Sequence, residues 1–180
     1  MWAGKDAGAI GIDFNALNAP DILHDLNGYP WPFDDNSFDK IICQHIVEHV
    51  VDAVRFMEEV HRVARAGALV EIVTPHFSNR FSYSDPTHVR HLSFFAFDYF
   101  IEPPPFHASL LSRVFETHYA VPSFYTTVRF KKLSAFLRFG RPFRLTGVQW
   151  LANRFTRFYE AYLTFIFPAR DLYFTLQVVK

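Results

Sequence analysis

The sequence predicts an α/β domain, a parallel sheet with crossover helices. Three observations carry that expectation. Short apolar runs end in acidic or histidine-bearing loops, an amphipathic helical stretch lies between two of those runs, and strand and helix patterns alternate through the first hundred residues. The first run, Ala9-Ile10-Gly11-Ile12, ends at Asp13, and the second, Asp21-Ile22-Leu23-His24, closes in Asp25-Leu26-Asn27-Gly28. Pro30 and Pro32 hold the next segment out of helix, and Asp34-Asp35-Asn36-Ser37 makes a turn into a third strand over Phe38–Gln44. In residues 47–65, Val47, Val50, Val54, Met57 and Val60 recur at helical spacing, with Glu58 and Arg62 as an i,i+4 pair. Gly67 is the expected stop, and residues 68–73 read as a fourth strand ended by Thr74-Pro75.

Beyond this core the pattern changes. Residues 93–101 read as an apolar helix stopped by Pro103-Pro104-Pro105, and a strand is expected near 123–130. Trp150, Leu151, Phe155, Phe158, Tyr159, Tyr162, Leu163 and Ile166 share one stripe of a long helix, and residues 172–180 read as a closing strand. The division expected is a single domain with a core over 8–102, a lid or insertion over 103–171 and that closing strand.

Half of the residues are hydrophobic and 22 are Phe, enough for a core and too apolar for a disordered chain. One cysteine, Cys43, excludes an internal disulfide framework. Neither a secretory leader nor a bilayer-length apolar run is evident, which predicts a cytoplasmic protein. Net charge is zero, yet residues 1–100 carry seven basic and fourteen acidic side chains, against eleven and four in residues 101–180. The basic residues Lys131, Lys132, Arg138, Arg141 and Arg144 interleave with phenylalanines, so segment 129–144 reads as a lid or as a peripheral membrane contact; nucleic acid is not expected.

Ligands of open parallel sheets bind beyond the carboxyl ends of the strands. The residues there are Asp13 and Phe14, then Asp25 and Leu26, then Gln44 and His45, then His76. A carboxylate in the place of Asp13 matches the spacing of a ribose diol, and Asp25 with Leu26 suits an adenine amino group and ring.

Four segments in fixed order, Gly11-Ile12-Asp13, Pro32-Phe33-Asp34-Asp35-Asn36-Ser37-Phe38-Asp39, His45-Ile46-Val47-Glu48-His49 and His61-Arg62-Val63-Ala64-Arg65-Ala66-Gly67-Ala68, resemble class I S-adenosylmethionine-dependent methyltransferases of the type 11 branch. The resemblance is good over roughly residues 8–100 and implies a Rossmann-like sheet. It also implies S-adenosylmethionine as cofactor, held by Asp13, Phe14, Asp25, Leu26 and Gln44, and methyl transfer to a small-molecule or lipid-like acceptor. His45, His76 and His88 are the candidate general bases for that transfer. Two departures stand out. Ala66-Gly67-Ala68 replaces the family's usual Pro-Gly-Gly, and the family's first strand and glycine-rich loop should precede Gly11, where ten residues stand; the sheet is therefore expected to be incomplete at its N-terminus.

Two rival readings compete for the same residues. A non-catalytic interaction or membrane-surface module would keep the fold alone. A zinc hydrolase would use His45, Glu48 and His49 as an inverted zincin motif, which needs a helix that begins before His45. His88 and His91 with Asp85 and His76 form a further conceivable metal set, but solvated loop histidines are the commoner outcome and no metal is assigned.

Overall fold

The computed structural model describes residues 8–102 and 124–180. Strands β1 (Ile12–Asp13) and β2 (Ile22–Leu23) form a parallel pair. Strands β3 (Phe38–Gln44), β4 (Ala64–Pro75), β5 (Arg129–Phe139) and β6 (Ala169–Val179) form a second sheet in the order β3-β4-β6-β5. The β3–β4 pair is parallel and both β6 pairings are antiparallel. The predicted α/β class holds, with the third strand at its expected bounds.

Helix α1 (Ala53–Val63) crosses between β3 and β4. It is shorter than the expected 47–65. Asp52 caps it by accepting from the N–H groups of Val54 and Arg55, each at 3.0 Å, which fixes the first turn after Val50. Val47 and Val50 are buried as expected, but from a 3-10 turn (Val47–His49) and the residue after it. Phe56, Met57, Val60 and Val63 form the buried face of α1. Arg62 pairs with Glu59 and Asp35 rather than with Glu58, whose carboxylate accepts instead from Thr126 Oγ1 at 2.7 Å. The helix ends before Gly67. That glycine takes φ +79° inside β4, where the β3–β4 register shifts between Phe38 and Lys40.

A helix was expected over residues 93–101, yet turns and a 3-10 element (Asp98–Phe100) occupy them. The segment is drawn onto the sheet: Phe97 packs edge-on against Phe174 of β6, Asp98 pairs with Lys132 of β5, and Glu102 N–H bonds the Phe130 carbonyl at 3.0 Å. The Pro103-Pro104-Pro105 stop and the front of the expected insertion lie outside the described residues.

The stretch 129–139, expected in part as a lid, is an edge strand of the main sheet. Helices α3 (Arg141–Leu145), α4 (Val148–Arg154) and α5 (Thr156–Phe158), with a π-helical turn over Tyr159–Leu163, follow it. Helix α4 shields the β5 edge. Asn153 accepts from Leu137 N–H at 2.7 Å and donates to its carbonyl at 2.8 Å, and Gln149 accepts from Phe139 N–H at 3.0 Å. The long helix expected is thus broken at Phe155 (φ −128°, ψ 51°), and its aromatic stripe splits: Tyr159 is buried while Trp150, Tyr162 and Ile166 are exposed.

Candidate functional site

Two rims are built by the carboxyl ends of the parallel strands. At the first, Asp13 closes β1; its Oδ1 accepts from Asn15 N–H and its Oδ2 from Asn18 Nδ2, both at 2.8 Å. Each oxygen keeps a further lone pair, as a diol acceptor requires. The next strand end leads into Asp25, whose Oδ1 accepts from Asn27 N–H at 2.9 Å and Asn27 Nδ2 at 3.1 Å in an exposed Asx turn. Leu26 is half-buried and its carbonyl accepts from Trp31 Nε1 at 3.1 Å. Because β1 and β2 run parallel in register, with His24 N–H bonded to the Asp13 carbonyl at 2.9 Å, Asp13 and Asp25 leave the same end of the pair. Phe14 is exposed beside them.

The second rim follows β3 and β4. Gln44 is exposed at the end of β3, and His45 takes the left-handed conformation, φ 54°. That turn swings the chain into the Val47–His49 element, so no helix starts before His45 and the inverted zincin arrangement is not formed. His45 Nδ1 lies 3.1 Å from Glu48 Oε1; this hydrogen bond raises the imidazole above its usual range against the opposing effect of burial. Glu48 is buried, and Thr74 Oγ1 donates to its Oε2 at 3.0 Å. The two rims meet where Asn27 Oδ1 accepts from Val51 N–H at 2.8 Å.

The loop after α2 (Arg80–Ser84) is laced to this second rim. Val89 and Arg90 N–H groups bond the Glu48 carbonyl, Arg90 reaches the carbonyls of Val50 and Val51, and His49 faces Thr87. His88 is thereby brought beside His49, ring centroids 4.6 Å apart. His76 is placed differently from the other two candidate bases. It is fully buried, its Nδ1 is 2.7 Å from Ser78 Oγ and its Nε2 2.9 Å from Glu160 Oε1. Glu160 also accepts from Phe94 N–H at 2.6 Å, so the pair ties the end of β4 to the C-terminal helices. His91 lies on Ser82 and Tyr83, so the metal set of His76, Asp85, His88 and His91 is not assembled. Burial pushes the Cys43 thiol up to about 12, which makes it an apolar core residue.

Sequence reasoning missed Glu48 as a bridge between His45 and Thr74, and it missed the docking of residues 85–91 onto the 45–51 turn. The short spacing from Glu48 to His49 hid the fact that their third neighbour, His88, comes from a distant loop. Next to that loop, Leu92, Tyr99, Phe100 and Tyr125 contribute to an open cleft of about 390 Å³. No helix among the described residues is long and apolar enough to cross a membrane.

Comparison with known proteins shows what the chain is similar to. Residues 12–72 match the family described as Methyltransferase domain. No curated protein matches. Among similar solved structures are the [4+2]-cyclase SpnF (15% identity, TM-score 0.46, 87% of this chain and 54% of that one) and an S-adenosylmethionine-dependent methyltransferase from Archaeoglobus fulgidus (19%, 0.48, 93% and 75%). Another is an S-adenosylmethionine-dependent methyltransferase from Mesorhizobium loti (14%, 0.48, 93% and 78%). The chain therefore spans about half the length of the first of these and about three quarters of the others. The matched span 12–72, about a third of the chain, runs from Ile12 in β1 through α1 into β4 and includes Asp13, Asp25 and the 45–49 turn; over it the chain is similar to the methyltransferase domain family.

Proposed function

We propose that the chain transfers a methyl group from S-adenosylmethionine to a small-molecule or lipid-like acceptor. The observation that carries this reading is the methyltransferase-domain match over residues 12–72, which includes Asp13 at the end of β1. S-adenosylmethionine supplies an electrophilic methyl group when bound. Asp13 would accept hydrogen bonds from the ribose hydroxyls through the lone pairs left by Asn15 and Asn18. Asp25 would accept from the adenine amino group, and Leu26, Phe14 and Gln44 complete the set that would hold the cofactor. These residues fit the cofactor by donor and acceptor chemistry, a carboxylate at each of two adjacent parallel strand ends.

His45 would take the proton from a hydroxyl or ammonium acceptor; its part-exposed ring on the rim and its contact with Glu48 support that role. His88 is held more deeply, and His76 has both ring nitrogens engaged inside the protein. The apolar and aromatic wall of Leu92, Tyr99, Phe100 and Tyr125 supports an acceptor with an apolar body. A membrane contact through segment 129–144 has less support, because residues 129–139 form a strand whose Lys132 is committed to Asp98.

The test is transfer of isotope-labelled methyl from S-adenosylmethionine to a panel of lipid-like and water-soluble acceptors. Label is expected in an apolar acceptor and is expected to fall about tenfold or more in His45→Gln if the acceptor must lose a proton. Absence of transfer to every acceptor, together with no cofactor binding, would leave the non-catalytic module as the better reading.

A further inference from the structure

We propose that Glu48, His49 and His88 form a binding site for one divalent transition-metal ion of the zinc class. One ligand atom from each of the three lies within 4.8 Å of the others. Around a tetrahedral ion with zinc–nitrogen and zinc–oxygen bonds of about 2.0–2.2 Å the ligand atoms stand roughly 3.4 Å apart, so the three need draw together by at most about 1.4 Å, within reach of small side-chain rotations.

The surroundings fix each ligand in a metal-binding form. His49 Nδ1 lies 3.3 Å from the Thr87 carbonyl and 3.1 Å from Thr87 Oγ1, and His88 Nδ1 lies 3.0 Å from the Ser82 carbonyl. A ring whose Nδ1–H donates to a carbonyl carries its lone pair on Nε2, the arrangement that orients zinc-binding histidines. Glu48 is held in the same way: Oε1 is engaged by His45 and Oε2 by Thr74, each oxygen keeping a lone pair. The carboxylate's side chain is only 2% exposed, so a cation there is poorly screened by water. Asp85 Oδ2, 3.8 Å from His88 Nε2, adds a second negative charge at the edge of the site.

The scaffold is rigid as well as close. Three carbonyls of the 48–51 turn, those of Glu48, Val50 and Val51, are bonded by the 89–90 segment, so the His88 loop is locked onto the turn that carries Glu48 and His49. Two imidazoles and one carboxylate are a zinc-class set, and they disfavour calcium or magnesium, which prefer all-oxygen cages. This set also differs from the inverted zincin motif, because His45 supports Glu48 while the third ligand arrives from a loop thirty-nine residues beyond His49. Three protein ligands leave a coordination position for a small molecule or water.

The test uses the untagged chain, freed of metal with a chelator and titrated with Co²⁺ and then Zn²⁺ alone. One equivalent of Co²⁺ is expected to bind with visible ligand-field bands of a low-coordinate nitrogen–oxygen site, to be displaced by Zn²⁺, and not to be displaced by Mg²⁺ or Ca²⁺. His49→Gln and His88→Gln should each weaken binding by about a hundredfold, whereas His24→Gln, in the loop at Gly28, should not change it. No stoichiometric binding by the wild-type chain, or binding that survives both substitutions, overturns the proposal. Should a variant fail to fold, the wild-type chain decides by imidazole nitrogen spectra. Zn²⁺ should shift the coordinated nitrogens of two of its nine histidines, and a shift confined to other histidines overturns the site.

Discussion

Replacing Arg62 by Met removes a guanidinium that joins α1 to the segment before β3, and keeps most of the aliphatic stem. The guanidinium forks onto Glu59, with Nε to Oε1 and Nη2 to Oε2 both at 2.8 Å. It also donates to the Phe33 carbonyl at 2.8 Å, the Trp31 carbonyl at 3.1 Å and Asp35 at 2.7 Å. The Asp35 side chain is 69% exposed, so that contact contributes at most about 1 kcal/mol. The Glu59 side chain is 11% exposed and also accepts from Trp31 N–H, so losing its cation approaches the breaking of a buried pair, about 3–5 kcal/mol. Arg62 itself is 26% exposed, which reduces the total to about 3 kcal/mol. For a chain of this length that is a melting temperature lower by roughly 6–12 °C. Urea unfolding followed by circular dichroism, paired with Glu59→Gln and the double variant, measures it. The double variant should be less destabilised than the sum of the single ones. A loss under about 0.5 kcal/mol for Arg62→Met would refute the reasoning that this fork holds the segment in place.

The remaining expectations concern acid stability and the C-terminal packing. At Glu59 burial works upward, but hydrogen bonds from Arg62 and Trp31 outweigh it and hold the carboxyl below its usual range. Its contribution is therefore complete above the unfolded-state value of about 4.3 and is lost as pH falls through the lower folded value. Glu59→Gln should flatten that acid limb in urea midpoints taken across it, and an unchanged slope would count against the fork. Tyr159→Phe removes a buried hydroxyl that donates to the Phe167 carbonyl and accepts from Ala169 N–H, each at 2.9 Å; a cost of about 1–3 kcal/mol is expected in thermal unfolding. Glu160→Leu leaves His76 Nε2 and Phe94 N–H without their acceptor, and hydrogen exchange at Phe94 should accelerate well before global unfolding.

Much of the core was legible because its signals are local. The apolar run in β3, the apolar spacing of α1 and the acidic strand ends all depend on neighbours within a few residues. The helix start was not legible from periodicity, because Val47 and Val50 are buried from a 3-10 turn and fall into the same apolar rhythm as the helix that Asp52 then caps. Residues 93–101 show the same limit, since Phe97, Asp98 and Glu102 take their conformation from β5 and β6. The split aromatic stripe has a cause equally distant in sequence: Asn153 and Gln149 turn inward to seal the β5 edge. At the site, the strand-end rule placed Asp13, Asp25 and His45 on the rims. It placed His76 there as well, although that ring is buried against Glu160, eighty-four residues away. The Glu48–His49–His88 cluster was illegible for the same reason, because the loop that brings His88 is fixed by backbone carbonyls that no side-chain pattern reports.

The cofactor claim is tested most directly by calorimetric titration of the chain with S-adenosylmethionine, alongside Asp13→Ala. The account predicts one cofactor bound per chain, and an affinity about tenfold or more weaker in the variant, since each hydrogen bond to a charged acceptor contributes about 1.5–3 kcal/mol. Equal affinity in the two proteins, or no heat of binding in the wild type, would contradict it.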